Sequence, residues 1–355
     1  MNNRRLILFS GLFLLLASLL SVTDVSGETL QQKSKDEFCS AVNSKFEEFK
    51  WYKIICNPER WEVYDYTARG NPLLYQEFGF EQSREDDPTN LLLCGVHGDE
   101  PSAIYQCFHL VREILFDNPE KTKGLKLVVA PIVNPDGFFL NTRQNGEGVD
   151  PNRNLPTRDW YARASEVWAN YHKDPRKYPG DRPGSSVESR FQAYLIDRYQ
   201  PDKVLSFHAP LGFLDFDGPG DRKYYNLVRI EQRAKNVGIH IEEDTRKFLR
   251  FVDYRFFPGS LGNYAGNERK IPTYTLELPS ASADKAYDYW NIIKLALLKA
   301  LNYHVYEGES RELLRRINHT PDPVVDRETK PFSVIDSPVI SEKDRPALED
   351  HNNWN

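Results

Sequence analysis

The chain has 355 residues, 40% hydrophobic and 28% charged, which is enough apolar material for a full core and enough length for one large domain or two modest ones. Its net charge of −6 is mild and the signs are interspersed, so the basic surface that polyanion binding needs is missing and nucleic acid is not an expected partner. The start, Met1-Asn2-Asn3-Arg4-Arg5 followed by the uncharged run Leu6 to Val22, has the n-region and h-region of an export signal, with Val25-Ser26-Gly27 marking cleavage before Glu28. Ser10, Gly11, Ser18 and Ser21 dilute that run below what a membrane span needs. Residues 1–27 are therefore read as a removed signal peptide, and the mature chain as periplasmic or secreted with no stable membrane anchor. Four cysteines in an exported chain permit disulfides in three pairings. Cys39 and Cys56 flank the first predicted helix and are placed to staple it, whereas Cys94 and Cys107 read as buried free thiols; spacing does not choose between the pairings.

Residues 28–60 form a helical lead-in, with Phe38, Val42, Phe46 and Phe49 at helical spacing over 36–50. Strands are predicted at 61–66 and 73–80, then an apolar strand at 91–96. Pro101 opens a helix with Ala103, Cys107, Leu110, Val111 and Ile114 on one face. A strand at 125–133 runs into the turn Asn134-Pro135-Asp136-Gly137. The stretch 138–185 reads as a long loop rich in Arg, Asn, Pro and Gly, of the kind that carries function. A helix at 186–199, a strand at 203–208, a helix at 223–236, a strand at 273–278 and a closing helix at 286–304 follow. Such alternation predicts an α/β domain over 61–306, an open mixed, mostly parallel sheet with helices on both faces. Residues 307–355 read as a polar, poorly ordered extension. His97, Asp136, His208 and Glu277 all fall at or just past strand ends, where open α/β sheets form their ligand crevice.

Two histidines and a glutamate are a frequent catalytic zinc set, leaving a fourth position for water. His97 and Glu100 supply the short His-x-x-Glu pair and His208 the distant third ligand, predicting one zinc per chain. Asp150 is placed to accept a hydrogen bond from the outer nitrogen of a ligating histidine. Glu277, a carboxylate on an apolar strand, is the candidate general base for a zinc-activated water and the later proton donor to the leaving amine. Arg143, Asn152 and Arg153 offer donors for an oxyanion and a substrate carboxylate. Arg246, Arg250 and Arg255 are further candidates for a second substrate carboxylate.

The motifs His97-Gly-Asp-Glu100, Asn134-Pro-Asp-Gly137, Thr142-Arg143-Gln-Asn145, Gly148-Val-Asp-Pro-Asn-Arg-Asn154, Ser206-Phe-His208 and Thr275-Leu-Glu277-Leu-Pro279 resemble, in order, those of the zinc metallocarboxypeptidase family across about residues 60–305. The resemblance implies a carboxypeptidase-like fold, His97, Glu100 and His208 as ligands, Arg143 as electrophile, Asn152 and Arg153 as carboxylate clamp, Glu277 as base and Tyr254 as a substrate-capping tyrosine. Ala209-Pro210 after the last ligand and the segment Pro258-Gly-Ser-Leu-Gly-Asn-Tyr-Ala-Gly266 are similar to the bacterial murein peptide amidases of that family. Their activity implies hydrolysis of the γ-D-glutamyl-meso-diaminopimelate bond in peptidoglycan peptides. The alternatives are a general carboxypeptidase for L-peptides, for which Leu261 suits an apolar end, a deacylase of small N-acylated amino acids, and an inactive wall-binding scaffold.

Overall fold

The computed structural model describes residues 32–84, 87–116, 120, 123–219, 225–254 and 256–305. The predicted signal peptide and the C-terminal extension lie outside the described residues. Helix α1 (Lys35–Glu48) begins at a reciprocal cap, in which the Ser34 hydroxyl accepts from the Glu37 amide and the Glu37 carboxylate accepts from the Ser34 amide. Its stripe of Phe38, Val42 and Phe46 is buried against the main core.

An eight-stranded sheet runs in the order β1-β2-β4-β3-β5-β8-β6-β7. Its strands are β1 (Glu62–Tyr66), β2 (Pro72–Phe78), β3 (Thr89–Leu93), β4 (Lys126–Ala130), β5 (Lys203–His208), β6 (Phe213–Phe216), β7 (Arg250–Val252) and β8 (Thr273–Glu277). The central strands β4, β3, β5 and β8 are mutually parallel, and β2 and β6 flank them antiparallel. Because β3, β4 and β5 are covered on both faces, their sequences are largely apolar runs, whereas β8 (Thr-Tyr-Thr-Leu-Glu) alternates, with Thr275 and Glu277 partly buried on one face. One face packs Leu92, Leu127, Leu205, Phe207 and Leu276 against α1, α2 (Pro101–Leu110), α6 (Tyr225–Asp244) and α7 (Ala286–Asn302). The other packs Leu91, Leu93, Val128 and Val204 against α5 (Val187–Tyr199) and the helical turn Gly262–Glu268.

Four expectations are corrected. The Asn134 turn is a helix start: Asn134 caps α3 (Pro135–Leu140) by accepting from the Gly137 amide at 2.8 Å. The loop-rich stretch contains α4 (Trp160–Asn170), whose buried stripe Trp160, Ala164 and Val167 was hidden by flanking charges. Helix α6 runs on to Asp244 past Gly238, where a Cβ would lie 2.1 Å from the Phe251 ring; the glycine clears space for that ring and does not end the helix. Cys94 and Cys107 are bonded to each other, as are Cys39 and Cys56. The exit of β3 and the second turn of α2 bring the Cys94 and Cys107 Cα atoms to 6.2 Å, within bridging range.

The Cys94–Cys107 bond spans 13 residues of chain. Replacing both cysteines by alanine is expected to lower unfolding free energy by about 2–4 kcal/mol, read as a fall in the urea midpoint. An unchanged midpoint would mean that the bond constrains nothing the packing does not already hold.

Candidate active site

Three segments meet at the carboxyl ends of the central strands. His97 lies just past β3, His208 ends β5 and Glu277 ends β8, and His208 and Glu277 are direct cross-strand partners, so both face the same side. The loop after β3 is pressed onto α3: a Cβ on Gly98 would lie 1.9 Å from the backbone carbon of Gly137. Only a glycine at 98 permits that approach, which fixes where His97 and Glu100 project.

His97 Nδ1 lies 2.8 Å from Glu100 Oε1 and 3.0 Å from His208 Nδ1, and His208 Nδ1 lies 3.1 Å from Glu100 Oε2. All three residues are buried, and their ligand atoms gather within 4.8 Å of one another. Two ring nitrogens at 3.0 Å with a carboxylate against both call for a cation or shared protons at their centre. The N, N, O donor set fits zinc. Burial opposes the Glu100 charge, but His97 and then His208 hold its carboxyl well below the usual range. The His208 ring is pushed down, chiefly by burial.

Behind the donors stands Asp150, fully buried. Its Oδ1 lies 3.2 Å from His97 Nε2 and accepts from the Asn152 amide at 2.9 Å, while its Oδ2 accepts from Arg143 Nε at 3.0 Å. Burial alone would favour the neutral acid, yet Arg143 and then His97 hold Asp150 far below its ordinary value. The Arg143 guanidinium reaches on to 3.1 Å from His97 Nδ1 and 3.7 Å from Glu100 Oε1, so it borders the donor cluster. Asn152 Oδ1 accepts from the Leu261 amide at 2.7 Å, and the Arg153 guanidinium lies over the Phe257 ring at 4.7 Å. A buried polar layer on α5 holds the loop that carries these groups. Glu188 accepts from Asn145 Nδ2 at 2.7 Å, and Asn145 Oδ1 in turn accepts the Glu147 and Val149 amides.

The Glu277 carboxyl is raised well above its usual range, by burial first and then by Glu100, and its Oε2 is buried without a hydrogen-bond partner. Tyr254 packs edge-on against Phe213 at 5.1 Å, and Phe213 is the cross-strand partner of Glu277. The ring thus borders the same wall while fixed by packing. Asp136 does not join the cluster, contrary to expectation. Its carboxylate is taken by Thr67 Oγ1 at 2.5 Å, Asn71 Nδ2 at 2.7 Å and the Arg69 amide at 3.1 Å, so it ties α3 to the turn between β1 and β2. Arg246 and Arg250 are exposed, and Arg255 lies outside the described residues. Sequence reasoning passed over Asp215 and Asp217, on and just after β6, although the alternation in Phe213-Leu-Asp-Phe-Asp217 carries the two-residue period of a strand with one polar face.

Residues 55–283 match the family model described as zinc carboxypeptidase. A murein peptide amidase A of Vibrio campbellii is 33% identical over 224 residues, which cover 62% of this chain and 80% of that protein. A murein peptide amidase A of Escherichia coli strain K12 is 29% identical over 246 residues, covering 68% and 90%. Among solved structures, thrombin activatable fibrinolysis inhibitor aligns with a TM-score of 0.57 at 16% identity, over 78% of this chain and 75% of that one, a likeness of fold alone. With its family match spanning most of the sheet and all the strand ends at which the donors gather, the chain belongs to the zinc carboxypeptidase family and is a hydrolytic metallopeptidase.

Proposed function

We propose that this protein is an exported, zinc-dependent amidase that cuts peptidoglycan stem peptides at the γ-D-glutamyl-meso-diaminopimelate bond. The observation that carries the reading is the gathering of His97, Glu100 and His208 beside Arg143 and an unpartnered Glu277 oxygen. The murein peptide amidases that align over 80% and 90% of their lengths support the substrate class. The signal-like residues 1–27 support export.

His97, Glu100 and His208 would hold the metal. When bound, zinc polarises the amide carbonyl and lowers the pKa of water toward about 7. Glu277 takes the proton from the attacking water and delivers it to the departing amine, which its buried, unpartnered oxygen is free to do. Arg143 donates to the oxyanion that forms at the carbonyl. Asn152 and Arg153 hold the carboxylate of the residue to be released, and that grip fixes the scissile bond against Glu277. Asp150 positions two of these groups at once, holding the His97 ring and the Arg143 fork.

Incubation of the zinc-loaded protein with L-Ala-γ-D-Glu-meso-diaminopimelate should release free diaminopimelate, seen by mass spectrometry and abolished by chelation. Trimming of ordinary L-peptides alone would move the function to a general carboxypeptidase. Glu277→Gln should retain stoichiometric zinc while turnover falls about 10²- to 10⁴-fold; full activity would remove Glu277 from the mechanism. Asp150→Asn keeps the shape but loses the charge that holds His97 and Arg143, and zinc affinity should fall about 10- to 100-fold in a competition titration. Unaltered affinity and rate would reduce Asp150 to a loop residue.

A further inference from the structure

A disulfide closes into a ring the short stretch of chain that carries both His97 and Glu100. The two residues lie in the connection between β3 and α2, which has no regular structure from Cys94 to Glu100. Cys94 directly follows the last residue of β3, Cys107 lies in the second turn of α2, and both are fully buried where they bond. The ring therefore encloses the whole connection and both donors. The Cys39–Cys56 bond, by contrast, closes a stretch of the lead-in that holds neither.

The path of the chain between the two cysteines is costly to order. Gly95 takes a φ of +62°, where a Cβ would meet Ile104 Cγ1 of α2 at 2.8 Å, and Gly98 is pressed onto the backbone of α3. Two glycines in so short a stretch raise the entropy lost when it is fixed. The start of α2 does not hold it in the usual way. Glu100 is the N-cap residue yet makes no side-chain cap, because its carboxylate is turned to His97, His208 and the Ala209 amide. A carboxylate engaged with that cluster cannot also cap the first turn. Two side-chain ties of α2 lead away from β3: Ser102 Oγ donates to the Ser280 carbonyl at 2.7 Å and Gln106 Nε2 to the Ala286 carbonyl at 2.9 Å. These hold the helix to the chain that follows β8, and Cys107 ties it back to the end of β3.

We propose that the Cys94–Cys107 bond is a positioning element for the metal site: it holds the His97 to Glu100 segment in its binding geometry before the metal arrives, so that only the oxidised chain holds zinc tightly. This rests on the zinc reading above and is independent of which peptide is cut. A donor set whose spacing is fixed beforehand binds more tightly, because the metal no longer has to order the segment that carries it. Closing the ring is a two-electron oxidation. Each thiol gives up its proton, one sulfur–sulfur bond forms, and a small-molecule disulfide is split into two thiols. Such disulfides persist in oxidising compartments, so the chain gains its tight site there and not in a reducing cytoplasm.

The test is a zinc titration in competition with a chelating indicator, on wild type and two double variants, Cys94→Ala/Cys107→Ala and Cys39→Ala/Cys56→Ala. Alanine opens each ring without leaving thiolates that would bind zinc themselves. The two bonds span 13 and 17 residues of chain, so opening either should cost similar stability, and the second variant controls for general loosening. Zinc affinity should fall about 10- to 100-fold in the first variant, the scale for loss of an outer support of a metal site, and stay at the wild-type value in the second. Equal affinities in wild type and the first variant overturn the positioning role, and so does equal weakening in both variants. Hydrogen exchange on wild type decides the question even where the first variant does not fold. The Asn134 and Ala103 amides donate to the Gly95 and Glu100 carbonyls at 2.8 and 3.0 Å, and a segment held by the ring should keep both protected after zinc is removed. Loss of protection confined to these two amides, with those of β3 and β4 unaffected, means that the metal orders the segment and overturns the role. A wild type that binds no zinc fails the metal reading and the positioning role with it, whereas a failed contrast between the variants leaves the metal reading standing.

Discussion

One buried carboxylate holds the site together. Asp150 has no exposure to water, and a charge in such a position is tolerated only when every lone pair is answered. Its answers are His97 and the Asn152 amide on one oxygen and Arg143 on the other, so a ring of the His97–Glu100–His208 cluster and the guanidinium beside it share one anchor. Removing either partner would strand the carboxylate, a far larger cost than that of an exposed pair. The long connection between α3 and α5 is therefore ordered from within. Asp150 grips the donor cluster, Asn145 is held by Glu188, and Asn154 reaches the carbonyls of Pro179 and Arg182 at 2.6 and 2.8 Å.

Strands bring the remaining groups without special devices. Parallel strands that end together place whatever follows them at one edge, and this sheet uses β3, β5 and β8 for that purpose. The antiparallel β6 returns from the same edge and sets Phe213 opposite Glu277. Side chains are thus divided by position, with the His97, Glu100 and His208 cluster at the strand tips, Glu277 beside it, and the carboxylates of β6 further along the same face.

Much of this was legible in the chain. Apolar runs marked β3 and β4 because strands covered on both faces need no alternation, and 203–208 was read to the residue. His97, Glu100 and His208 stood out because those residue types at strand ends have few structural uses. Asp136 obeyed the same positional rule and misled, since nothing local announces that Thr67 and Asn71, more than 60 residues earlier in the chain, will claim its carboxylate. The Cys94–Cys107 bond escaped for a related reason: whether two thiols meet depends on the angle at which α2 leaves β3. Strands β6 and β7 are only four and three residues long; the two-residue alternation from Phe213 to Asp217 is present, but so short a run does not stand out as a strand, and the two aspartates went unnoticed with it. Helix α4 was missed because its apolar stripe is narrow and sits amid arginines.

The pairing of His208 with Glu277 has a consequence for how the chain becomes active. A slip of one residue between β5 and β8 would keep the strands and most of their backbone bonds, but it would turn Glu277 toward the core and bring a leucine to the cleft. The mispaired chain would look folded by its content of helix and strand. Catalytic competence therefore serves as a readout of register, and a preparation with native spectra but partial specific activity would be reporting a fraction of molecules trapped one step out of alignment.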